Sequence, residues 1–109
     1  MLRNFMILLT VLTTGLFANS LSLEDNGDGT WNVNYSSDTN IGGFQFNVDG
    51  ATVTGASGGD SAANGFMIST SSTMVLGFSL AGTTVPAGDG TLVVLALDGT
   101  PTGLSGIVV

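Results

Sequence analysis

The chain lacks most of the side chains on which enzymes depend. It contains no cysteine, no histidine and no lysine, and its one basic side chain is Arg3. Without an imidazole, a thiolate or an amine, the common general bases and activated nucleophiles are missing. A serine nucleophile would also lack the base that activates it. The composition therefore argues against an enzyme, and it excludes stabilisation by disulfides.

Acidic side chains, in contrast, are present and face no basic partners. The sequence has a formal net charge of −7, and all of its carboxylates lie after Arg3. They are Glu24, Asp25, Asp28, Asp38, Asp49, Asp60, Asp89 and Asp98. Nucleic acids and anionic membrane surfaces are poor partners for such a chain, because binding them requires cations that replace phosphate counterions. The charge suits solubility outside the cell and attraction to cations such as calcium.

Residues 1–18 have the pattern of a secretory signal peptide. Arg3 supplies the positive start, an apolar run extends from Phe5 to Phe17, and the small residue Ala18 precedes the expected cut. The run is shorter than the ~20 residues that span a bilayer. We therefore predict a protein that is secreted or held at the cell surface, with one small domain at residues 19–109 and no membrane segment after cleavage.

The rest of the sequence predicts an all-β fold, an antiparallel β-sandwich of jelly-roll type. Seventeen glycines and only two prolines accompany short stretches in which apolar and polar residues alternate. Strands with one buried face are predicted at 31–35, 44–48 and 74–80, and weaker strands at 21–23, 51–56 and 66–69. Residues 92–97 are apolar at every position, which indicates a central strand covered on both sides. No helix is predicted after residue 18, and residues 57–65 are predicted to form a mobile loop.

The sequence ends on the apolar run Gly106-Ile107-Val108-Val109. We expect from this run that the domain is incomplete at its C-terminal end. The alternative is a final strand that closes a sheet at its last residue.

One turn resembles a calcium-binding loop. Glu24, Asn26 and Asp28, followed by Gly29, match the first, third, fifth and sixth positions of an EF-hand loop. The match fails at the twelfth position, where Tyr35 replaces the bidentate glutamate. A β-hairpin turn explains the same residues and is the favoured interpretation. Glu24, Asn26 and Asp28 thus remain a candidate weak calcium site, and no catalytic residue or other cofactor is predicted.

Two aromatic residues have two interpretations. Trp31 and Tyr35 could form a platform on which a sugar ring stacks. Their alternation with Val33 favours packing in the core instead. The exposed sheet surface would then consist of short polar side chains, which suit protein recognition through hydrogen bonds.

The stretch from Ile41 to Leu97 resembles a cohesin domain, the extracellular module that binds dockerin domains. The blocks that carry the resemblance are Gly43–Val48, Ala51–Ala56, Thr73–Leu80 and Val85–Leu95. Cohesins are longer, and the strands that should follow Leu97 are mostly missing from this sequence. The resemblance implies a non-catalytic scaffold or adhesion module that docks a dockerin-type protein near polysaccharide-degrading systems. It assigns no contact residues.

Two other functions remain open from the sequence. A carbohydrate-binding module would bind polysaccharide through an exposed aromatic ring. A structural surface or fibre subunit would pair its Gly- and Thr-rich edge strands with those of neighbouring copies.

Overall fold

The computed structural model describes residues 19–109, so the predicted signal peptide lies outside the described residues. The described part of the chain forms eight strands and one short helix. The strands are β1 (Ser20–Asp25), β2 (Thr30–Ser37), β3 (Gly43–Asp49), β4 (Thr52–Ser57), β5 (Met67–Thr70), β6 (Met74–Phe78), β7 (Gly88–Asp98) and β8 (Gly103–Val108), and the helix is α1 (Gly59–Ala63). No helix in this part of the chain is long and apolar enough to cross a membrane.

The strands form two four-stranded sheets. Sheet I has the order β1-β2-β7-β4, and sheet II has the order β5-β6-β3-β8. All strand pairs are antiparallel. The chain crosses between the sheets after β2, β3, β4, β6 and β7, so that most neighbours in a sheet are distant in sequence. The predicted all-β sandwich is therefore confirmed.

Alternating side chains of both sheets fill the space between them. Val33 and Tyr35 point inward from β2, while Phe44, Phe46 and Val48 point inward from β3. The Phe44 ring stacks on that of Phe46, with the ring centroids 6.1 Å apart. Burying each such side chain contributes about 1.5–3 kcal/mol to stability. The buried faces predicted for residues 31–35 and 44–48 are confirmed.

Strand β7 lies inside sheet I, between β2 and β4, as predicted for residues 92–97. Leu92, Val93 and Leu95 are fully buried. The β2–β7 pairing shifts by one residue, because Val33 pairs with Val93 whereas the next residue pairs with Thr91. The outer face of β7 remains partly exposed at Val94 and Ala96, so the prediction of a strand covered on both sides is only half right.

The face predicted to be buried in β6 is wrong. Val75 and Gly77 point into the core, whereas Met74 and Leu76 are exposed on the outer surface. Gly77 lies against the ring of Phe44, and a side chain at this position would collide with that ring. Leu80 lies beyond the end of β6 and is 75% exposed. The strand is apolar at nearly every position, so its alternation gave no information on its orientation.

Helix α1 lies within the segment that was predicted to be a mobile loop. Ser61 of this helix is fully buried, and its hydroxyl donates a hydrogen bond of 2.7 Å to the carbonyl of Leu92. The amide of Phe66 donates to the carbonyl of Ser61 at 2.9 Å. The prediction missed the helix because five residues are too few to show a helical repeat. The helix anchors the connection between the two sheets onto β7.

Candidate functional site

The residues of the candidate calcium site lie in the β1–β2 hairpin, where they stabilise the turn. The amide of Gly27 donates to the Asp25 carboxylate at 2.8 Å, and the amide of Asn26 donates to the Thr30 carbonyl at 3.1 Å. The Thr30 hydroxyl and amide both donate to Asp28. These two bonds hold the pKa of the Asp28 carboxyl below its ordinary value of 3.8. The favoured interpretation of a hairpin turn is consistent with these bonds.

Polar side chains continue from this turn across the outer face of sheet I. The amides of Asn32 and Asn34 each donate to Oε1 of Glu24 at 3.1 Å. Asn26 donates to Oδ1 of Asn32 at 2.9 Å, and the Thr91 hydroxyl donates to Oδ1 of Asn34 at 2.8 Å. We call these five residues the polar ladder. It links β1, β2 and β7 on the solvent side of the sheet.

Calcium binding at Glu24, Asn26 and Asp28 remains a prediction. Within residues 19–109, no three side chains of the acidic, histidine or cysteine types are grouped so that they could hold a metal ion. Oδ1 of Asp28 accepts both hydrogen bonds from Thr30.

The favoured interpretation of a hairpin turn predicts that thermal unfolding has the same midpoint in millimolar calcium and in excess chelator. The measurement is circular dichroism during a thermal ramp, because a ligand that binds only the folded state raises the midpoint. The Asp28→Asn variant is the control. A midpoint that rises with calcium in the parent protein, but not in this variant, would establish the site.

The two aromatic residues weighed as a sugar platform point toward the core. Tyr35 is 7% exposed, and Trp31 is partly buried against the core residues. The Tyr35 hydroxyl donates a hydrogen bond of 2.6 Å to Oδ2 of Asp60, the residue after the first of helix α1. Burial, the bond to Asp60 and the charges of Asp60 and Asp89 raise the pKa of Tyr35 to about 12. The packing role of these two residues is thus the one the structure shows.

The outer face of sheet II carries a group of exposed apolar side chains. Met67 is 51% exposed, Leu76 is 37% exposed and Val108 is 62% exposed. We call the group on β5, β6 and β8 the sheet II patch. Its members are the exposed residues Met67, Met74, Leu76 and Val108 and the partly buried Phe78. Contiguous patches of exposed apolar side chains are a common feature of interaction sites on proteins.

Strand register brings the members of the patch onto one face. Phe78 pairs with Met67 on one side and with Gly43 on the other, and Gly43 has no side chain to cover it. Leu76 and Val108 both pair with Gln45 of β3, from opposite sides. Because successive side chains of a strand point to opposite faces, these residues share the outer surface. The neutral amides of Gln45 and Asn47 on β3 lie between the apolar side chains of β5 and β6 and that of Val108 on β8.

Sequence reasoning missed the sheet II patch because it placed Met74, Leu76 and Phe78 in the core. The signal that could have found the patch is Gly77. A glycine on the supposed solvent face of a strand often marks a close approach by another group, and here that group is the Phe44 ring.

One acidic residue, Asp49, lies at the border of the patch. Asp49 ends β3 and is exposed, and its carboxylate accepts a bond of 3.1 Å from the Ser105 hydroxyl. The residues that the structure describes include no lysine, arginine or histidine. The surface around the patch therefore attracts cations and repels anions.

No protein-family model, curated protein sequence or solved structure matches this chain. The two surfaces that could bind a partner are the polar ladder on sheet I and the apolar patch on sheet II.

Proposed function

We propose that this protein is a secreted, non-catalytic interaction module of the cohesin type. It docks a protein partner of the dockerin type in an extracellular scaffold or adhesion system. The observation that carries this proposal is the sheet II patch, where apolar side chains stand on the outside of a well-packed sheet. The small set of chemical groups in the chain supports binding over catalysis.

The patch is suited to binding because its support is rigid. Leu76 and Phe78 lie on β6, an inner strand of sheet II whose opposite face packs Val75 into the core. Strand β3 beside it packs Phe44 and Phe46 into the same core. A preformed surface loses little conformational entropy on binding. Each Å² of apolar surface removed from water contributes about 25 cal/mol.

Methionine gives the patch some tolerance of shape. Met67 and Met74 lie on different strands and are both exposed. Their unbranched side chains adapt to irregular surfaces more easily than leucine or valine. We propose that they fill gaps around a partner whose central contacts are made by Leu76 and Phe78.

A carbohydrate-binding module is the second candidate function, and the polar ladder favours it. Glu24, Asn32 and Asn34 present amide and carboxylate groups on an exposed sheet face, which suit sugar hydroxyls. Tyr35 is buried, however, so this face lacks an exposed tyrosine ring for stacking. Titration of the protein with soluble polysaccharides tests this alternative. Binding that is lost in Asn34→Ala but kept in Leu76→Gln would favour it over protein docking.

The proposed function predicts that Leu76→Gln weakens docking by roughly tenfold or more. The measurement is calorimetric titration of the protein with a panel of purified dockerin domains. In the complex, the glutamine amide at residue 76 would be buried without the hydrogen bonds that it makes to water. The unbound domain should tolerate the substitution because the side chain of residue 76 is exposed.

The matched control is Val94→Gln, which makes a similar change on the partly exposed outer face of sheet I. It should leave the affinity unchanged, and thermal melts should show that both variants are folded. The proposal fails if no dockerin binds the parent protein, or if Leu76→Gln binds as tightly as the parent.

A further inference from the structure

We infer that the partner of the sheet II patch surrounds its apolar contact with lysine or arginine side chains, and that this charge preference keeps a second copy of the chain off the patch. The inference rests on the proposed function, since it names the chemistry of the partner that docks there. It is carried by the distribution of charge in the described residues.

Every charged side chain in residues 19–109 is acidic. Eight carboxylates occur there, with no lysine, arginine or histidine among them. Most domains mix both signs on their surface, so that their own cations weaken the field of their acids. This surface has no such compensation, and its field extends about 8 Å into a solution of physiological ionic strength. Any favourable charge contact with the domain must come from cations of the partner.

The patch combines apolar side chains with polar residues of β3, one of which is charged. Gln45 and Asn47 are the neutral residues of β3 that lie between the apolar side chains of β6 and β8. Asp49 follows two residues later on the same face and is exposed. Interfaces commonly combine an apolar centre with a polar rim that remains accessible to water. A basic residue on the partner would meet Asp49 at this rim.

The same charges disfavour pairing of two copies through their patches. A symmetric dimer places identical surfaces against each other, so it would bring together two domains whose charged side chains are all acidic. Like charges across an interface raise the energy of association. The apolar patch would then stay exposed in the free protein until a basic partner arrives.

The first test uses two synthetic amphipathic helical peptides that share one leucine-rich face. One carries lysines along the borders of that face, and the other carries glutamates. At low ionic strength the lysine peptide should bind the purified full-length protein at least roughly tenfold more tightly than the glutamate peptide. In about 1 M salt, where the field extends only about 3 Å, this difference should largely disappear.

Three variants separate the proposed function from this inference. Leu76→Gln should weaken binding of the lysine peptide. If its affinity is unchanged, the peptide binds by charge alone and the patch is not the site. Asp49→Asn should weaken binding of the lysine peptide more than Asp89→Asn does. The second variant removes the same charge from β7, which belongs to sheet I on the other side of the domain. Binding that depends on Leu76 but is equal for both peptides would overturn the inference while leaving the proposed function in place.

The second test is sedimentation of the protein alone. We expect a monomer at low ionic strength, with self-association increasing as salt is added. A dimer at low ionic strength that is dissociated by Leu76→Gln would overturn the inference. It would show that repulsion between the acidic side chains of two copies does not prevent their patches from pairing.

Discussion

Replacing Gly59 with alanine is expected to lower the free energy of unfolding by more than about 3 kcal/mol. Gly59 has a φ of +70°, which costs an alanine about 1–2 kcal/mol. The added Cβ would also lie 2.5 Å from the Leu92 carbonyl oxygen and 2.8 Å from the Val93 amide nitrogen. Both atoms belong to the backbone of a buried strand, so neither can move without disturbing sheet I. The whole free energy of unfolding of a domain of this size is about 5–15 kcal/mol.

The matched control is Gly65→Ala. Gly65 has a φ of +76° at the other end of the same connection, and nothing lies within 4 Å of the position of its Cβ. This variant should lose only the conformational cost, about 1–2 kcal/mol. Urea unfolding followed by fluorescence of Trp31, the one tryptophan of the chain, measures both losses. Equal losses in the two variants would show that α1 can separate from β7 at no cost.

The second large effect is a loss of stability in alkali, between about pH 10 and pH 12. Burial and the bond to Asp60 raise the pKa of Tyr35 from 10.0 to about 12 in the folded state. The neutral phenol is therefore favoured by folding. The stabilisation that Tyr35 provides to the folded state is complete below pH 10, the pKa of tyrosine in the unfolded chain. It is lost as the pH rises through 12. Two pKa units correspond to roughly 2–3 kcal/mol.

The composition makes this experiment unusually clean. Tyr35 is the one tyrosine, and the chain has no lysine, cysteine or histidine to titrate nearby in pH. Ultraviolet absorbance of the phenolate therefore reports Tyr35 alone, and urea titrations at each pH report the stability. The Tyr35→Phe variant should be less stable than the parent at neutral pH and should show almost no change across the alkaline range. An alkaline loss of the same size in Tyr35→Phe would assign it to another part of the molecule.

Much of the fold could be predicted because the alternation of apolar and polar residues in several strands indicates which face is buried. In β2 and β3, apolar residues such as Val33 and Phe46 alternate with asparagine and glutamine, so one face must be buried. The Asn26–Gly29 turn likewise marks the hairpin between β1 and β2. Alternation and turn residues are local signals that need no knowledge of distant contacts.

What the sequence could not predict depends on contacts between residues distant along the chain. The orientation of β6 is set by the space that Gly77 leaves for the ring of Phe44, a residue more than thirty positions earlier in the chain. Helix α1 owes its position to the hydrogen bond between Ser61 and Leu92 on another element. The sheet II patch was missed because of the wrong orientation of β6, which places Leu76 in the core.

The order of strands in sheet I has a consequence for how the chain folds. The β1–β2 hairpin can form from neighbouring residues, but its inner partner is β7, where Val93 pairs with Val33. Contacts this far apart in sequence slow folding, because a long loop must close before they form. Sheet I therefore cannot be completed during synthesis until β7 has been made. Such a delay would suit a protein that crosses a membrane as an extended chain and folds on the far side.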